Sequence, residues 1–348
     1  MPRSTVWMAL ISLAAAALLT GALRRRLLHR GLLDLPNARS SHSAPTVRGG
    51  GMAIVIVTTA GLLVLLLQHS LDVTFAVAFG GGGLAIAAIG FVDDRHRLRA
   101  RTRLTVHFAA ALWAVLWLGG EPPLLIGSHI VDLRLVGDVL AVISIVWTTN
   151  FFNFMDGIDG LAASEAAFVA GAAVLLGVAG APGVSSIAVI FAGASCGFLL
   201  LNWPPAKIFL GDVGSGYLGF CVAVMALAAT RSNPGAVWVW LVLTGTFFVD
   251  ANVTLLRRLR RGESAHQAHR SHAYQWLARR WNGHQPVTLL LLGINALWLF
   301  PLALLCTLWP ALAIPFLAIA LLPLGVAAVA AGAGRSEVAA VSDAADGR

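Results

Sequence analysis

The sequence predicts an all-α, polytopic integral membrane bundle of about 10–11 transmembrane helices. Three observations predict it. The chain of 348 residues is 58% hydrophobic and only 11% charged, whereas a soluble domain is roughly 45–50% apolar and about 25% charged. Its apolar residues gather in eleven windows, most of them close to the roughly 20 residues a helix needs to cross a bilayer. When those windows alternate through a membrane, 21 of the 24 Lys and Arg fall on one side.

The windows justify themselves in order. Window one, 6–23, follows Arg3 and ends at Arg24, Arg25 and Arg26. It lacks a small-residue cleavage site ahead of a soluble chain, so an uncleaved first span is expected rather than a signal peptide. A polar connection with Arg39, His42 and Arg48 leads through Gly49–Gly51 into window two, 49–67. Window three, 73–92, closes on Asp93 and Asp94, and five Arg between 95 and 103 precede window four, 104–119. A second polar connection, 120–137, leads to window five, 138–155, which runs into the polar motif NFFNFMDGIDGLA. Windows six and seven are 160–180 and 184–201; Pro204 and Pro205 stop the latter, because proline breaks the helical ladder. Window eight, 213–230, starts after Gly211 and Asp212, and window nine is 236–256. The basic connection 257–286 precedes windows ten and eleven, 287–308 and 310–332. Residues 1–332 thus form one membrane domain, and the polar tail 333–348 is expected to be disordered. Cys196, Cys221 and Cys306 sit in apolar runs without metal spacing and read as small hydrophobes.

Sidedness follows from the basic residues. The side receiving 24–48, 93–103, 156–160, 202–212, 257–286 and the tail keeps 21 of them and is cytoplasmic by the positive-inside rule, with the N-terminus outside. The net charge of +8 is accounted for in this way, and no nucleic-acid partner is expected. The alternation was set without the acids, yet it places Asp93, Asp94, Asp156, Asp159, Asp212 and Asp250 at the same face, with His269 and His272. Acids beside a bilayer are costly and mark function.

Each cluster has an ordinary alternative. Asp93 and Asp94 repel, so they need a cation or a shared proton; salt bridges to the Arg run would serve equally. Asn150, Asn153, Asp156 and Asp159 recur every three residues, so on a helix they share a face; a capping turn would explain one of them. Gly157 and Gly160 let a ligand approach backbone. Asp212 and Ser215 could cap a helix, but a glycine-bare helix N-terminus also suits phosphate, or a carboxylate holding Mg²⁺ against phosphate. Lys207 adds a point charge nearby. His269, Arg270 and His272 lie in a basic loop suited to a diphosphate or to anionic headgroups, and two His alone are a poor zinc site. Arg48, beside its glycines, could meet an anionic headgroup. Together these parts suit Mg²⁺-dependent phosphoryl transfer between a cytosolic diphosphate and a lipid. The alternative is a transporter moving protons or cations along intramembrane acids, which would place the acids near mid-helix.

The stretches FVDD (91–94), NFFNFMDGIDGLA (150–162), IFLGDVGSGYLGF (208–220) and HRSHAYQWL (269–277), with LLDLPNARSSHSAPTVRGGGMAI ahead of them, resemble the polyprenyl-phosphate N-acetylhexosamine-1-phosphate transferases, relatives of MraY and WecA. The HRSHAYQ form is similar to the WecA/WbpL branch, which starts O-antigen and related glycans. The triple-His run of the MraY branch is absent, which points away from a muramoyl-pentapeptide donor. The resemblance implies transfer of a sugar 1-phosphate from a UDP-N-acetylhexosamine to undecaprenyl phosphate, with UMP released, in the bacterial inner membrane with the site on the cytoplasmic face. It implies Mg²⁺, with Mn²⁺ as an alternative, held by Asp212 and Asp156, and it is compatible with a homodimer. It places Asp93 and Asp94 near the attacking lipid phosphate, and Asn153, Asp156 and Asp159 around nucleotide and metal, beside Asn150. Asn202 falls near the nucleotide, and His269, Arg270 and His272 on the diphosphate or sugar, with Lys207 and Arg48 as further cationic contacts.

Overall fold

The computed structural model describes residues 3–29, 33–34, 46–96, 98–263 and 269–336. Arg39, His42 and the end of the tail, 337–348, lie outside the described residues. The helices are α1 (Arg3–His29), α2 (Met52–Leu67), α3 (Val73–His96), α4 (Ala100–Leu118), α5 (Arg134–Met155), α6 (Leu161–Leu175), α7 (Pro182–Asn202), α8 (Asp212–Ser232), α9 (Ala236–Leu243), α10 (Gly245–Arg260), α11 (Ala273–Arg280), α12 (Gln285–Ile294), α13 (Phe300–Leu308) and α14 (Ala313–Ala330). A π-helical turn, Asn295–Leu299, joins α12 to α13.

Each apolar window coincides with helix. Among the described residues, seven helical segments are long and apolar enough to cross a membrane, or eight if the bent pair α9–α10 is one span; α2 and α6 are shorter apolar helices. Window nine does not form a straight helix: it breaks at Thr244 and turns by 71°. Window six stops at Leu175, five residues early.

The centre of the bundle is α8, whose apolar stretch is 94% buried, against 17% for α1 and α14. Around α8 pack α3, α5, α6 and α9, while α1 lies outside against α7. Burial therefore follows position in the bundle rather than hydropathy, because lipid and protein solvate apolar side chains alike.

Two features depart from an all-helical reading. β2 (Thr46–Arg48) pairs antiparallel with β1 (Leu33–Asp34) and parallel with β5 (Ile208–Phe209). A hairpin of β3 (Leu124–Ile126) and β4 (His129–Val131) fills the connection ahead of α5. These short segments lie in polar connections, where backbone groups outside any helix still need partners. The packed chain also continues past residue 332: Ala333 is fully buried, and the Gly334 amide donates to the Ser271 carbonyl at 2.6 Å.

Candidate active site

The strand pair β2–β5 brings distant motifs together. Beyond Arg48, the amides of Gly49 and Gly50 donate to the Phe209 carbonyl, and that of Gly51 to Leu210. Here α2, α3 and α8 meet backbone to backbone. A Cβ on Gly51 would lie 2.3 Å from the Gly214 Cα, and one on Gly90 would lie 2.4 Å from the Asp212 carbonyl oxygen. No larger residue fits at either contact.

The carboxylates converge on this point. Asp94 closes the N-terminus of α8 from another helix: its two oxygens accept the Asp212 and Val213 amides at 2.9 and 3.2 Å. A carboxylate there is favoured by the unpaired amides and the helix dipole. Arg48 bridges the two acids, with Nε 2.8 Å from Asp94 and Nη2 2.8 Å from Asp212. Buried Asp93 accepts the Leu98 amide at 2.5 Å and Arg103 Nη1 at 2.6 Å. The same Arg103 nitrogen lies 3.7 Å from Asp212. Asn153 donates to Asp212 at 3.1 Å and to the Ser215 hydroxyl at 2.9 Å. Arg48 is thus an ion-pair partner of two acids, where a headgroup contact was expected.

The polar stripe of the NFFNFMDGIDG motif divides. α5 ends at Met155 and Asp156 is its C-cap; Gly160, at φ +75°, turns the chain into α6. Asn153 and Asp156 face the carboxylate cluster, whereas Asn150 donates back to the Val146 carbonyl at 2.6 Å. Asp159 turns to other work. It accepts the Ala206 amide at 2.9 Å and faces His284 Nδ1 at 3.3 Å, fixing the 203–207 loop and the start of α12. Buried Asn202 also bonds backbone alone, accepting from the Gly160 amide and donating to the Ile208 carbonyl, both at 2.9 Å. Asp159 and Asn202 therefore hold the loops around residues 157–160 and 203–208. Lys207 is exposed, and its carbonyl accepts from Arg24 Nε at 3.0 Å.

The His motif reaches the same end of the bundle on α11, an amphipathic helix inside a connection that read as a loop. Asp250 of α10 caps it, accepting the Ala273 and Tyr274 amides at 2.9 and 3.0 Å and lying 3.3 Å from His272 Nδ1. His272 is buried, its ring centroid 4.9 Å from that of His269 and 6.3 Å from that of Phe154. His269 Nδ1 meets the Ser271 hydroxyl at 2.9 Å, and the Arg270 carbonyl accepts from Arg279 at 2.9 Å. Tyr274 donates to the Phe154 carbonyl at 2.9 Å, tying α11 to the end of α5.

Known proteins resemble this chain along most of its length. Residues 75–230 match the family described as glycosyl transferase family 4. The decaprenyl-phosphate N-acetylglucosaminephosphotransferase of Mycobacterium leprae is 30% identical over 329 residues, covering 82% of this chain and 80% of its own. The chain belongs to glycosyl transferase family 4. Two other relatives are similar across much of their length. The probable undecaprenyl-phosphate N-acetylglucosaminyl 1-phosphate transferase of Bacillus subtilis is 26% identical over 276 residues, 77% of this chain and 75% of its own. A phospho-N-acetylmuramoyl-pentapeptide-transferase of Synechococcus elongatus is 33% identical over 247 residues, 64% of this chain and 63% of its own.

In this family 4 chain, Asp156 stands apart from its neighbours. Among the described residues its carboxylate takes no hydrogen bond and no ion pair, whereas Asp93, Asp94, Asp159 and Asp212 are all held. Desolvation holds its pKa well above the usual carboxylate range, Arg48 pulls it down, and the charges of Asp212, Asp94 and Asp159 push it up. The donor set is oxygen only, which suits a hard divalent cation such as Mg²⁺ or Mn²⁺. As the side chains stand, no three acids, His or Cys among the described residues form a metal-holding group; guanidinium groups occupy the space between the carboxylates. The sequence reading missed two structural contributors, Arg103, submerged in a run of arginines, and Ser215, read only as a cap; it placed Asp250 at this face but not its capping of α11, which joins residues 23 positions apart.

Proposed function

We propose that this protein transfers an N-acetylhexosamine 1-phosphate from its UDP derivative to undecaprenyl phosphate, giving the undecaprenyl-diphospho-sugar and UMP. The observation that carries this reading is the meeting of Asp93, Asp94, Asn153, Asp156 and Asp212 with Arg48 and Arg103 at one end of a membrane bundle. Relatives named as polyprenyl-phosphate sugar-phosphate transferases support the substrate class. In the reaction a lipid-phosphate oxygen attacks the β-phosphorus of the donor, and the bond from that phosphorus to the bridging oxygen breaks, so UMP leaves with the bridging oxygen. The nucleophile is already anionic, so the barrier is chiefly repulsion between two anions.

The chain's own residues address that barrier. Arg48 and Arg103 supply positive charge where the phosphates would meet. Asn153 fixes the rotamer of Asp212, and Asp156 leaves its oxygens open. Asp212 and Asp156 would hold the divalent ion, Mg²⁺ or Mn²⁺, which would neutralise the diphosphate and stabilise the leaving UMP. His269, Arg270 and His272 suit the sugar-diphosphate end. The setting proposed is the cytoplasmic face of a bacterial inner membrane, at the first membrane step of O-antigen or another envelope glycan.

The transporter reading needs a polar path through the bundle. Buried Glu165, in the second turn of α6, sits in a closed cluster, accepting from Thr246 at 3.2 Å and from Asn295 at 2.5 Å, and buried Asp250 within α10 caps α11. The deciding experiment incubates purified protein with undecaprenyl phosphate, Mg²⁺ and a panel of UDP-sugars, and measures UMP and lipid product. Release of UMP with one sugar, lost in Asp212→Asn protein that still folds, supports the proposal. Absence of UMP with every sugar, or wild-type turnover in Asp212→Asn, refutes it.

A further inference from the structure

At the α8 N-terminus Asp93, Asp94 and Asp212 each hold a guanidinium while Asp156 takes no partner among the described residues, and the two arginines are more exposed than the acids they hold. Arg48 is 40% exposed and Arg103 32%, whereas Asp93, Asp94 and Asp212 are 6%, 10% and 21% exposed. A cation that takes Asp93, Asp94 or Asp212 must therefore displace a guanidinium. The backbones of both arginines are fixed, Arg48 in β2 against β5 and Arg103 in the first turn of α4. Only their side chains can withdraw. Guanidinium and ammonium-like cations also have a second natural partner in this reaction, because a planar guanidinium matches phosphate oxygens as well as it matches a carboxylate.

We propose that Arg48 and Arg103 are exchangeable counter-ions: they neutralise Asp93, Asp94 and Asp212 in the substrate-free protein and pass to phosphate oxygens when a divalent ion takes the carboxylates. This deepens the proposed function and rests on it for the identity of the phosphate. The exchange conserves charge at the carboxylates, since two single positive charges leave and one double charge enters. It couples metal and substrate. The ion binds weakly while the arginines hold the carboxylates, and it binds tightly once a phosphate receives them. Metal and phosphate ligand then bind cooperatively, each raising the affinity of the other by the same factor. Asn153 stays on Asp212 throughout and keeps that carboxylate aimed.

The test is Mn²⁺ binding to the purified full chain, read from the electron paramagnetic resonance signal of free Mn²⁺. Wild type, Arg48→Gln and Arg103→Gln are titrated without nucleotide, with UDP, and with undecaprenyl phosphate. Without phosphate ligand, the Gln variants bind Mn²⁺ roughly tenfold more tightly than wild type, the equivalent of about 1.4 kcal/mol. With ligand, wild-type affinity rises and the variant's advantage disappears. The arm that shows this, UDP or lipid phosphate, identifies the phosphate each arginine receives. Thermal melting checks that each variant is folded, and either variant alone suffices if the other is not. Equal or weaker substrate-free Mn²⁺ binding in a folded variant overturns the proposal, as does a failure of both ligands to raise wild-type affinity. The substrate-free arm uses no sugar donor. A failed proposed function would show as absent UMP release with that arm intact, and a failed exchange as UMP release with Mn²⁺ binding indifferent to Arg48.

Discussion

Replacing Asp94 with Asn should destabilise the bundle at its centre, not only slow turnover. The substitution keeps the shape of the side chain but removes its charge and turns one of its two acceptor oxygens into an NH₂ donor. In the structure both oxygens are engaged by α8 amides, and one is shared with Arg48. Losing a charge-assisted acceptor and leaving one helix amide facing a donor costs about 1–3 kcal/mol. Removing a negative charge from a partly buried helix N-terminus adds up to ~2 kcal/mol. The Arg48 contact adds little, because that guanidinium is 40% exposed and solvent screens it. The expected total is about 1–5 kcal/mol, concentrated on the helix whose apolar stretch is 94% buried. The assay is thermal unfolding of detergent-purified protein, followed by the loss of the monodisperse peak in size-exclusion chromatography. A midpoint several degrees below wild type is expected. An unchanged midpoint would show that the carboxylate does not close α8, and the capping account would have to be abandoned.

Further outcomes follow from the same geometry. Asp156→Asn removes a desolvated carboxylate that has no partner among the described residues and is repelled by Asp212, Asp94 and Asp159; the melting midpoint should hold or rise while UMP release falls at least tenfold. Asn202→Ala strips two buried backbone groups of their partners, costing about 2–4 kcal/mol; faster proteolysis at 203–207 is expected, with unchanged UDP affinity once the protein is held folded at low temperature. At the opposite end of the bundle, burial raises the pKa of Glu121 to about 7, against the pull of Arg231. The folded state then holds a proton that the unfolded state releases, so this group's stabilisation is present below about pH 4.5 and is lost as pH rises towards about 7. Discounted for partial exposure, the effect is about 1–2 kcal/mol, and a Glu121→Gln variant should show a flatter midpoint-against-pH profile over that window.

Much of this was legible in sequence because the bilayer enforces long apolar runs, and each of the eleven windows fell on helix. The bend at Thr244 was not legible, since the run 236–256 stays apolar through it. The meeting of Asp93, Asp94 and Asp212 was foreseeable from their shared face. What they bind was not, because Arg48 reaches them through a strand pairing of residues 161 positions apart. The stripe from Asn150 to Asp159 divides for a definable reason: a spacing of three implies one face only while the helix continues, and α5 ends at Met155, so Asp159 lies beyond it. The backbone contacts of Asp159 and Asn202 were not legible either, because they join loops 42 to 47 positions apart.

The contact between Gly334 and the Ser271 carbonyl, reinforced by Arg257 and Arg261 on the carbonyls of Ala333 and Gly334, joins the end of the last helix to the histidine loop. Shortening the chain by a few residues too many, or fusing an affinity tag directly after Ala330, would free a loop that lies far away in sequence. Such a protein could insert and melt normally yet handle its sugar donor poorly, so any engineered C-terminus belongs beyond Ser336.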